Sequence, residues 1–218
     1  MADTPEHLSR TLWVGVVFVF LFLGLAGLLS LAEMKHERLS LQVIGAIPDF
    51  ILTNQDGQAA SLANLTNHVW IADLVFTRCA GPCPRMTAQM KSLESLLPQD
   101  SDARLVTLTT DPGFDSPEIL KRYGQRFGAD FSRWMFLTGL PSQATALAMN
   151  GLRLGSTPVA SADQKNAADL FIHSTIIVIV DKHARLRGFF ETGGEGVDWE
   201  NSVRPNVLAA IRQLEQEP

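Results

Sequence analysis

The sequence predicts an α/β fold with a central mixed sheet, preceded by one apolar helix near the N-terminus. Two patterns in the 218 residues lead to this prediction. Beyond residue 46, short apolar runs typical of β-strands alternate with segments whose apolar residues recur at helical spacing. Ahead of them, residues 12–32 are uncharged and almost entirely apolar, which is typical of a helix that crosses a membrane.

Composition and charge exclude several classes of protein. Hydrophobic residues make up 46% of the chain and charged residues 19%, so there is enough apolar surface to form a packed core. The formal net charge is -5, whereas nucleic-acid binders usually carry a basic surface. The 2 cysteines are too few for a disulfide-stabilised miniprotein, a four-cysteine zinc site or a cysteine-ligated iron–sulfur cluster.

The apolar run divides the chain into four parts. We predict a short N-terminal segment at residues 1–11, a transmembrane anchor at 12–32, a linker at 33–45 and a folded domain at 46–218. A helix needs about 20 apolar residues to cross a bilayer, and this run has 21. Because Ser30–Ala32 also resembles a signal-peptide cleavage site, a cleaved signal peptide is the alternative to a retained anchor.

The basic residues that flank this run give only a weak indication of its orientation. Arg10 precedes it, and Lys35 and Arg38 follow it, which by the positive-inside rule would place the large domain inside. Large domains, however, are translocated largely regardless of so small a difference in charge. The side of the membrane therefore has to follow from the chemistry of the domain.

The first elements of the domain are a hairpin, a buried strand and a helix. Phe50–Thr53 is predicted as a short strand that leads into a turn at Asp56-Gly57, a typical hairpin sequence. Val69–Phe76 is almost continuously apolar, as in strands that are buried on both faces. Pro84–Leu97 repeats apolar residues at helical spacing and is predicted as a helix.

The later elements continue the alternation of strands and helices. A helix is predicted to begin after Ser116-Pro117, because serine is a favoured N-cap and proline fits the first helical turn. The β-branched run Ser174–Val180 predicts a strand that pairs with its successor across a short turn. The remaining predicted strands are Arg104–Thr109, Trp134–Leu137 and Ala184–Phe190, and the remaining predicted helices are Ser142–Met149 and Pro205–Gln213. The resulting order, β-α-β-α-β-β-α, is that of a thioredoxin-like fold.

Both cysteines lie on one short loop. The loop FTRCAGPCP, residues 76–84, follows the most hydrophobic strand and precedes a helix, and α/β sheets place their functional loops outside the carboxyl ends of strands. Cys83 is predicted as the N-cap of that helix, where the helix dipole, Arg78 and Arg85 would favour its thiolate. A buried, inert pair is the alternative, but it does not explain why both cysteines of the chain share one loop.

The spacing of Cys79 and Cys83 is compatible with a disulfide or with a soft metal ion. Three residues separate them, one more than in ordinary dithiol oxidoreductases, and the longer loop leaves room for an ion. Two thiolates leave a metal under-ligated, so a third ligand is expected. His173 directly precedes the predicted strand Ser174–Val180, and in a thioredoxin-like fold the residue that enters this strand faces the cysteine loop.

Two thiolates and one imidazole form a soft ligand set that suits copper, in particular three-coordinate Cu(I). Cu(II) would take an added oxygen ligand, and zinc would need a fourth ligand. Asp111, which follows the strand Arg104–Thr109, has two interpretations of equal weight. It is either a group that supports the metal ligands from behind or a turn residue before Pro112.

Three motifs together resemble the Sco/SenC family, copper proteins that assist assembly of the dinuclear copper centre of cytochrome c oxidase. They are FTRCAGPCP at 76–84, DPGFDSPE at 111–118 and HSTIIVIVD at 173–181. The likeness covers residues 46–215, and an N-terminal anchor is also typical of the family. Because three motifs occur in the right order, the resemblance is more specific than the cysteine loop alone.

The resemblance implies a thioredoxin-like fold and a copper site formed by Cys79, Cys83 and His173. It also implies a domain on the outer, periplasmic side of the membrane, which overrides the weak charge signal. Two residues depart from the family pattern: Ala80 stands where members usually have proline, and Ile172 stands where they commonly have aspartate. The first change affects the rigidity of the loop, and the second removes a charge beside the site.

The sequence therefore predicts a membrane-anchored copper metallochaperone. Its expected partners are the copper-containing subunit of cytochrome c oxidase, other copper carriers and the membrane, but no nucleic acid. The alternative is a thiol–disulfide reductase that acts on the copper-ligand cysteines of that subunit through Cys79 and Cys83. Peroxidase activity is a third hypothesis, suggested by Pro48–Phe50 and Thr77. Peroxiredoxins, however, have this threonine three residues before the cysteine, whereas here it precedes Cys79 by two.

Overall fold

The computed structural model describes residues 13–24, 39–158, 171–173 and 175–218. Its contacts divide the chain into two units, Met1–Arg38 and Leu39–Pro218. In the first unit, residues 13–24 form helix α1, whose side chains are exposed. Across the described ranges, no helix is long and apolar enough to cross a membrane. Residues 12 and 25–32 of the predicted span lie outside the described residues, so the anchor remains a prediction.

The second unit contains ten strands and four α-helices among its described residues, besides three shorter helical segments. The strands are β1 Gly45–Ala46, β2 Ile51–Thr53, β3 Ala59–Ser61, β4 Trp70–Val75, β5 Arg104–Thr109, β6 Trp134–Leu137, β7 Ser156–Pro158, β8 Phe171–His173, β9 Ile176–Val180 and β10 Arg185–Glu191. The helices are α2 Pro82–Leu96, α3 Pro117–Arg126, α4 Pro141–Ala146 and α5 Arg204–Gln216. Strands and helices alternate from β4 to α4 as the sequence predicts, and two strands that it does not predict, β7 and β8, precede β9.

The central sheet is mixed and has six strands in the order β1-β10-β9-β4-β5-β6. Strands β4, β5 and β6 are parallel, whereas β9, β10 and β1 join them through antiparallel pairs. The strands β2 and β3 form a separate hairpin around the turn at Gly57, whose φ of 75° suits glycine. The predicted α/β fold with a central mixed sheet is confirmed.

Alternate residues of β4 face two separate hydrophobic clusters, because successive side chains of a strand point to opposite faces. Ile71 and Val75 belong to a cluster that includes residues of α2, α3 and α5. Trp70 and Leu74 belong to a second cluster that includes residues of the β2–β3 hairpin and α4. All residues of β4 are buried, so the loop that follows this strand leaves from a rigid core.

Helix α2 begins earlier than the sequence predicts. Its N-cap is Gly81 and its first residue is Pro82, so Cys83 lies inside the first turn, and the prediction of Cys83 as the N-cap is wrong. The physical reason is that Pro82 and Pro84 occupy helical positions whose N–H groups would have no partner within the helix. Proline costs no hydrogen bond there and therefore does not delay the helix to residue 84.

His173 is predicted to lie directly before a strand that starts at Ser174, but it ends a short strand of its own. Strand β9 begins at Ile176, and His173 ends the short strand β8, where its backbone pairs with Ser156 of β7. Residues 159–170, which connect β7 to β8, lie outside the described residues. The antiparallel pairing adds backbone hydrogen bonds to a segment that lacks a continuous apolar pattern.

Candidate metal centre

The two cysteines lie between the end of β4 and the first turn of α2. Cys79 is 7% exposed and Cys83 is fully buried. The backbone N–H of Cys79 donates to the carbonyl oxygen of Phe76 at 3.1 Å, which closes a tight turn directly after β4. Both residues lie in the described part of the chain and carry thiols, with no disulfide between them.

The pKa of the Cys83 thiol is raised, first because it shares a hydrogen bond with Cys79 and second because it is buried. The charge of Asp73 contributes to the rise, and a hydrogen bond to the backbone of Phe76 opposes it. The predicted preference for a thiolate is therefore wrong. A helix dipole at a surface site contributes only about 0.3–1 kcal/mol, and the guanidinium of Arg78 is engaged elsewhere.

Asp111 pairs with Arg78, the residue before Cys79. The carboxylate accepts from Nη2 of Arg78, and the guanidinium carbon lies 4.1 Å from the centre of the Phe114 ring. The backbone N–H of Asp111 donates to Oγ1 of Thr109 at 3.0 Å. Asp111 lies in the turn after β5 and binds the residue next to Cys79, and its role in supporting metal ligands stays a prediction.

Asp115 is a residue that the sequence analysis does not single out. The cap of α3 is Ser116, whose side chain accepts from the backbone N–H of Ile119. Asp115 is fully buried instead. Its carboxylate accepts from the N–H of Thr77 at 3.1 Å and from the hydroxyls of Thr77 and Thr109. The sequence did offer a signal for another role. Asp115 directly precedes Ser116, and because this serine alone suffices to cap α3, the aspartate is not needed as a cap.

Burial raises the pKa of Asp115, and the nearby charge of Asp111 adds to the rise. The hydrogen bonds from Thr109 and Thr77 act in the opposite direction but do not outweigh burial. On balance the site therefore disfavours the charged carboxylate, and its neutral donors offset only part of the effect of burial. Two acidic residues of one turn thus hold two consecutive residues of the cysteine loop, Thr77 from inside and Arg78 from outside.

The backbone before β9 runs toward the cysteine loop. Strand β9 is antiparallel to β4, with Ala72 opposite Val178, so the chain that precedes β9 lies at the end of β4 from which the loop departs. A Cβ added to Gly193 would lie 2.1 Å from Nη2 of Arg85 and 3.3 Å from Cβ of Thr175. Thr175 is therefore close to Arg85, which belongs to the first turns of α2.

The side chain of His173 lies outside the described residues, so its predicted contact with the two sulfurs stays a prediction. Within the side chains that the structure describes, no three histidine, cysteine, aspartate or glutamate residues cluster closely enough to hold a metal ion. The described pair of thiols can lose protons to a soft metal ion or be oxidised to a disulfide.

A family model for SCO1/SenC matches residues 42–204 of the chain. The SCO1 protein homolog of Bacillus subtilis (strain 168) is 36% identical over 122 residues, which are 56% of this chain and 59% of that protein. The chain thus spans less than two thirds of the length of that relative.

Two solved structures share the fold. BsSco, a member of the Sco family of cytochrome c oxidase assembly proteins in which a disulfide switch was identified, has a TM-score of 0.66 at 24% identity, over 81% of this chain and 98% of its own. Bradyrhizobium japonicum ScoI with copper bound has a TM-score of 0.63 at 19% identity, over 78% of this chain and 99% of its own. The family model covers most of the domain that carries the cysteine loop, and the chain belongs to the SCO1/SenC family.

Proposed function

We propose that this protein is a copper metallochaperone. It holds one copper ion through Cys79, Cys83 and His173 and helps to assemble the dinuclear copper centre of cytochrome c oxidase. The observation that carries the proposal is the pair of buried thiols that share a hydrogen bond at the end of β4. Two sulfurs in contact form the larger part of a soft ligand set, which favours Cu(I) over magnesium or calcium.

The position of the chain before β9 supports His173 as the third ligand. The antiparallel register of β4 and β9 directs this segment toward the cysteine loop, and Thr175 lies near Arg85. His173 is two residues before Thr175 and five residues before Val178, the first residue of β9 that pairs with β4. An imidazole from this segment would complete a three-coordinate site for Cu(I), and an added oxygen ligand would adapt it to Cu(II).

Because the pKa of Cys83 is raised, copper binding is expected to be coupled to the release of a proton. In the absence of metal the thiol keeps its proton, because burial and the neighbouring sulfur oppose the thiolate. Copper binding displaces the thiol protons, so uptake weakens as the pH falls. Transfer to a partner is a ligand exchange in which partner ligands replace the sulfurs of Cys79 and Cys83, protons return to these sulfurs, and the oxidation state of copper does not change.

The comparisons support this proposal. ScoI of Bradyrhizobium japonicum, which shares the fold, was solved with copper bound, and BsSco belongs to a family of cytochrome c oxidase assembly proteins. By analogy, the expected partners are the copper-containing oxidase subunit and other copper carriers. The apolar residues 12–32 would anchor the domain at the membrane, on the periplasmic side, where it could reach such a subunit.

A copper titration of the reduced full-length protein tests the proposal. We expect one equivalent of Cu(I) in the unchanged protein and a large loss of affinity in Cys79→Ser, Cys83→Ser and His173→Ala, because each change removes one soft donor. His183→Ala is the matched control, because His183 follows β9 at the other end of the sheet and its ring contacts the backbone of Pro218. Unchanged binding in all three site variants would refute the proposal.

Thiol–disulfide exchange is the second candidate function, and the shared hydrogen bond of the two thiols favours it. In this reaction the thiols of Cys79 and Cys83 become a disulfide, the disulfide of the partner breaks, and two electrons and two protons pass to the partner. The reductase requires both cysteines but not His173. An assay with an oxidised copper-ligand peptide of the oxidase subunit separates the functions, because His173→Ala would retain reductase activity and lose copper binding.

A further inference from the structure

The two cysteines are held in place by different means. Cys83 is part of α2, and its carbonyl oxygen accepts from Oγ1 of Thr87 at 3.0 Å. Thr87 in turn contacts the hydroxyl of Tyr123 at 2.8 Å, which ties this turn of the helix to α3. Cys79 lies outside any strand or helix, and its position depends on what holds the residues immediately before it.

Asp115 connects these residues to the core. Its carboxylate takes both donors of Thr77, the N–H and the hydroxyl, and also the hydroxyl of Thr109, the last residue of β5. Next to it, the N–H of Thr110 donates to the carbonyl oxygen of Val75 at 2.9 Å. The start of the cysteine loop is thus joined to the end of the neighbouring strand by a side chain that is fully buried.

A carboxyl group with two oxygens fits this arrangement well. It can accept all three hydrogen bonds, whereas asparagine has one acceptor oxygen and an amide group that donates. Burying a carboxylate costs free energy, since it loses hydration that neutral donors replace only in part. A simple cap for α3 does not require this cost, because Ser116 already provides one.

We propose that Asp115 is a positioning residue for Cys79. Its carboxylate fixes Thr77 and thereby sets the distance between the two sulfurs, which governs both copper binding and closure of the disulfide. Asp115 itself does not touch the metal. The inference deepens the proposed function at the same site and rests on it, but the role in disulfide closure holds for either candidate function.

The test compares Asp115→Asn with the unchanged full-length protein in three measurements: Cu(I) affinity by competition, the equilibrium between the dithiol and the disulfide in glutathione buffers, and the urea midpoint. We expect Cu(I) affinity to fall by about 10-fold or more, as is usual when a group that supports metal ligands is removed. The dithiol–disulfide equilibrium should shift by about 5-fold or more, because strain in a disulfide changes its stability. Asp198→Asn is the control, because Asp198 is a solvent-exposed cap of the short helical segment Trp199–Val203 that asparagine replaces well.

A folded Asp115→Asn protein whose copper affinity and dithiol equilibrium both stay within 2-fold of the unchanged protein would overturn the inference. A lower urea midpoint with an unchanged dithiol equilibrium would also overturn it, because that is the result of a purely structural role. If Asp115→Asn does not fold, Thr77→Val carries the same test, since it removes only the hydroxyl donor. If the unchanged protein binds no copper, the proposed function fails, and the dithiol equilibrium alone still decides the role of Asp115.

Discussion

The two ends of the central sheet each bury an aspartate, and they treat its charge in opposite ways. Asp115 lies under the cysteine loop and Asp181 lies in the turn between β9 and β10, with 0% and 2% of their surfaces exposed. Asp181 accepts from Nη1 of Arg187 at 2.7 Å and from Nε of Arg185 at 2.8 Å. Asp115 receives only hydroxyl and amide donors among the described contacts.

This difference in donors decides the direction of the two pKa shifts. Burial alone would raise the pKa of Asp181, but the hydrogen bonds from Arg187 and Arg185 and from the local backbone bring it below its usual value. Burial raises the pKa of Asp115, and its neutral donors do not reverse the effect. The end of the sheet with Asp181 therefore favours a charged carboxylate, whereas the end with the cysteine loop disfavours one.

Removing Arg187, the cation beside Asp181, should lower the free energy of unfolding more than any other change predicted here. Arg187→Leu deletes the guanidinium that bonds Asp181, Glu217 and the carbonyl oxygen of Leu41. We expect the free energy of unfolding to fall by about 3–5 kcal/mol, because one partner of a buried ion pair is lost. Urea denaturation measures the loss, and Arg204→Leu, which removes an exposed pair with Glu200, is the control. A loss below about 1 kcal/mol would contradict the prediction, because ion pairs on the protein surface contribute that little.

Copper affinity should depend on pH at the cysteine end. Because the pKa of Cys83 is raised, at least one proton leaves when copper binds. The apparent Cu(I) affinity should fall by about 10-fold for each pH unit below neutrality and for each proton displaced. Competition titrations between pH 6 and 8 measure the slope. An affinity that does not change over this range would contradict protonated thiols in the metal-free protein.

The stability of the two aspartate variants should change with pH in opposite directions. For Asp181, whose folded pKa is lowered, the stabilisation is complete above the ordinary pKa of about 4 and is lost as the pH falls through the folded value. For Asp115, whose folded pKa is raised, the contribution is complete below about 4 and is lost as the pH rises through the folded value.

Urea midpoints measured from pH 3 to pH 7 test this contrast. The advantage of the unchanged protein over Asp181→Asn should grow with pH, whereas its advantage over Asp115→Asn should shrink. If both advantages change with pH in the same direction, the difference in hydrogen-bond donors does not determine the pKa shifts of the two aspartates.

The pair of Arg78 and Asp111 should contribute least to stability. The side chain of Arg78 is 35% exposed and that of Asp111 is 14% exposed, so Arg78→Ala should cost about 1 kcal/mol or less in the free energy of unfolding. Copper affinity should fall less than in Asp115→Asn, because Thr77 stays bound from inside. A greater loss of copper affinity in Arg78→Ala than in Asp115→Asn would contradict the prediction. It would show that the pair of Arg78 and Asp111, and not Asp115, positions Cys79.

Elements with a strong local pattern could be predicted from the sequence. Strands β5 and β6 have the predicted bounds, because apolar runs between polar turns suffice to define them. The loop of Cys79 and Cys83 lies after β4, as predicted. The contact of Asp115 with Thr77 joins residues 38 positions apart, and no local pattern shows it. The raised pKa of Cys83 follows from burial and from its neighbour, which the local helix signals do not contain.

Arg187 fastens two distant stretches of the chain at once, since it bonds the carbonyl oxygen of Leu41 and the carboxylate of Glu217. Leu41 precedes β1, which pairs with the same strand that carries Arg187. One side chain therefore joins the segment before β1 to the residue that follows α5. These contacts lie at the end of β10 next to the turn at Asp181, so the closure of the fold at this end does not involve the cysteine loop.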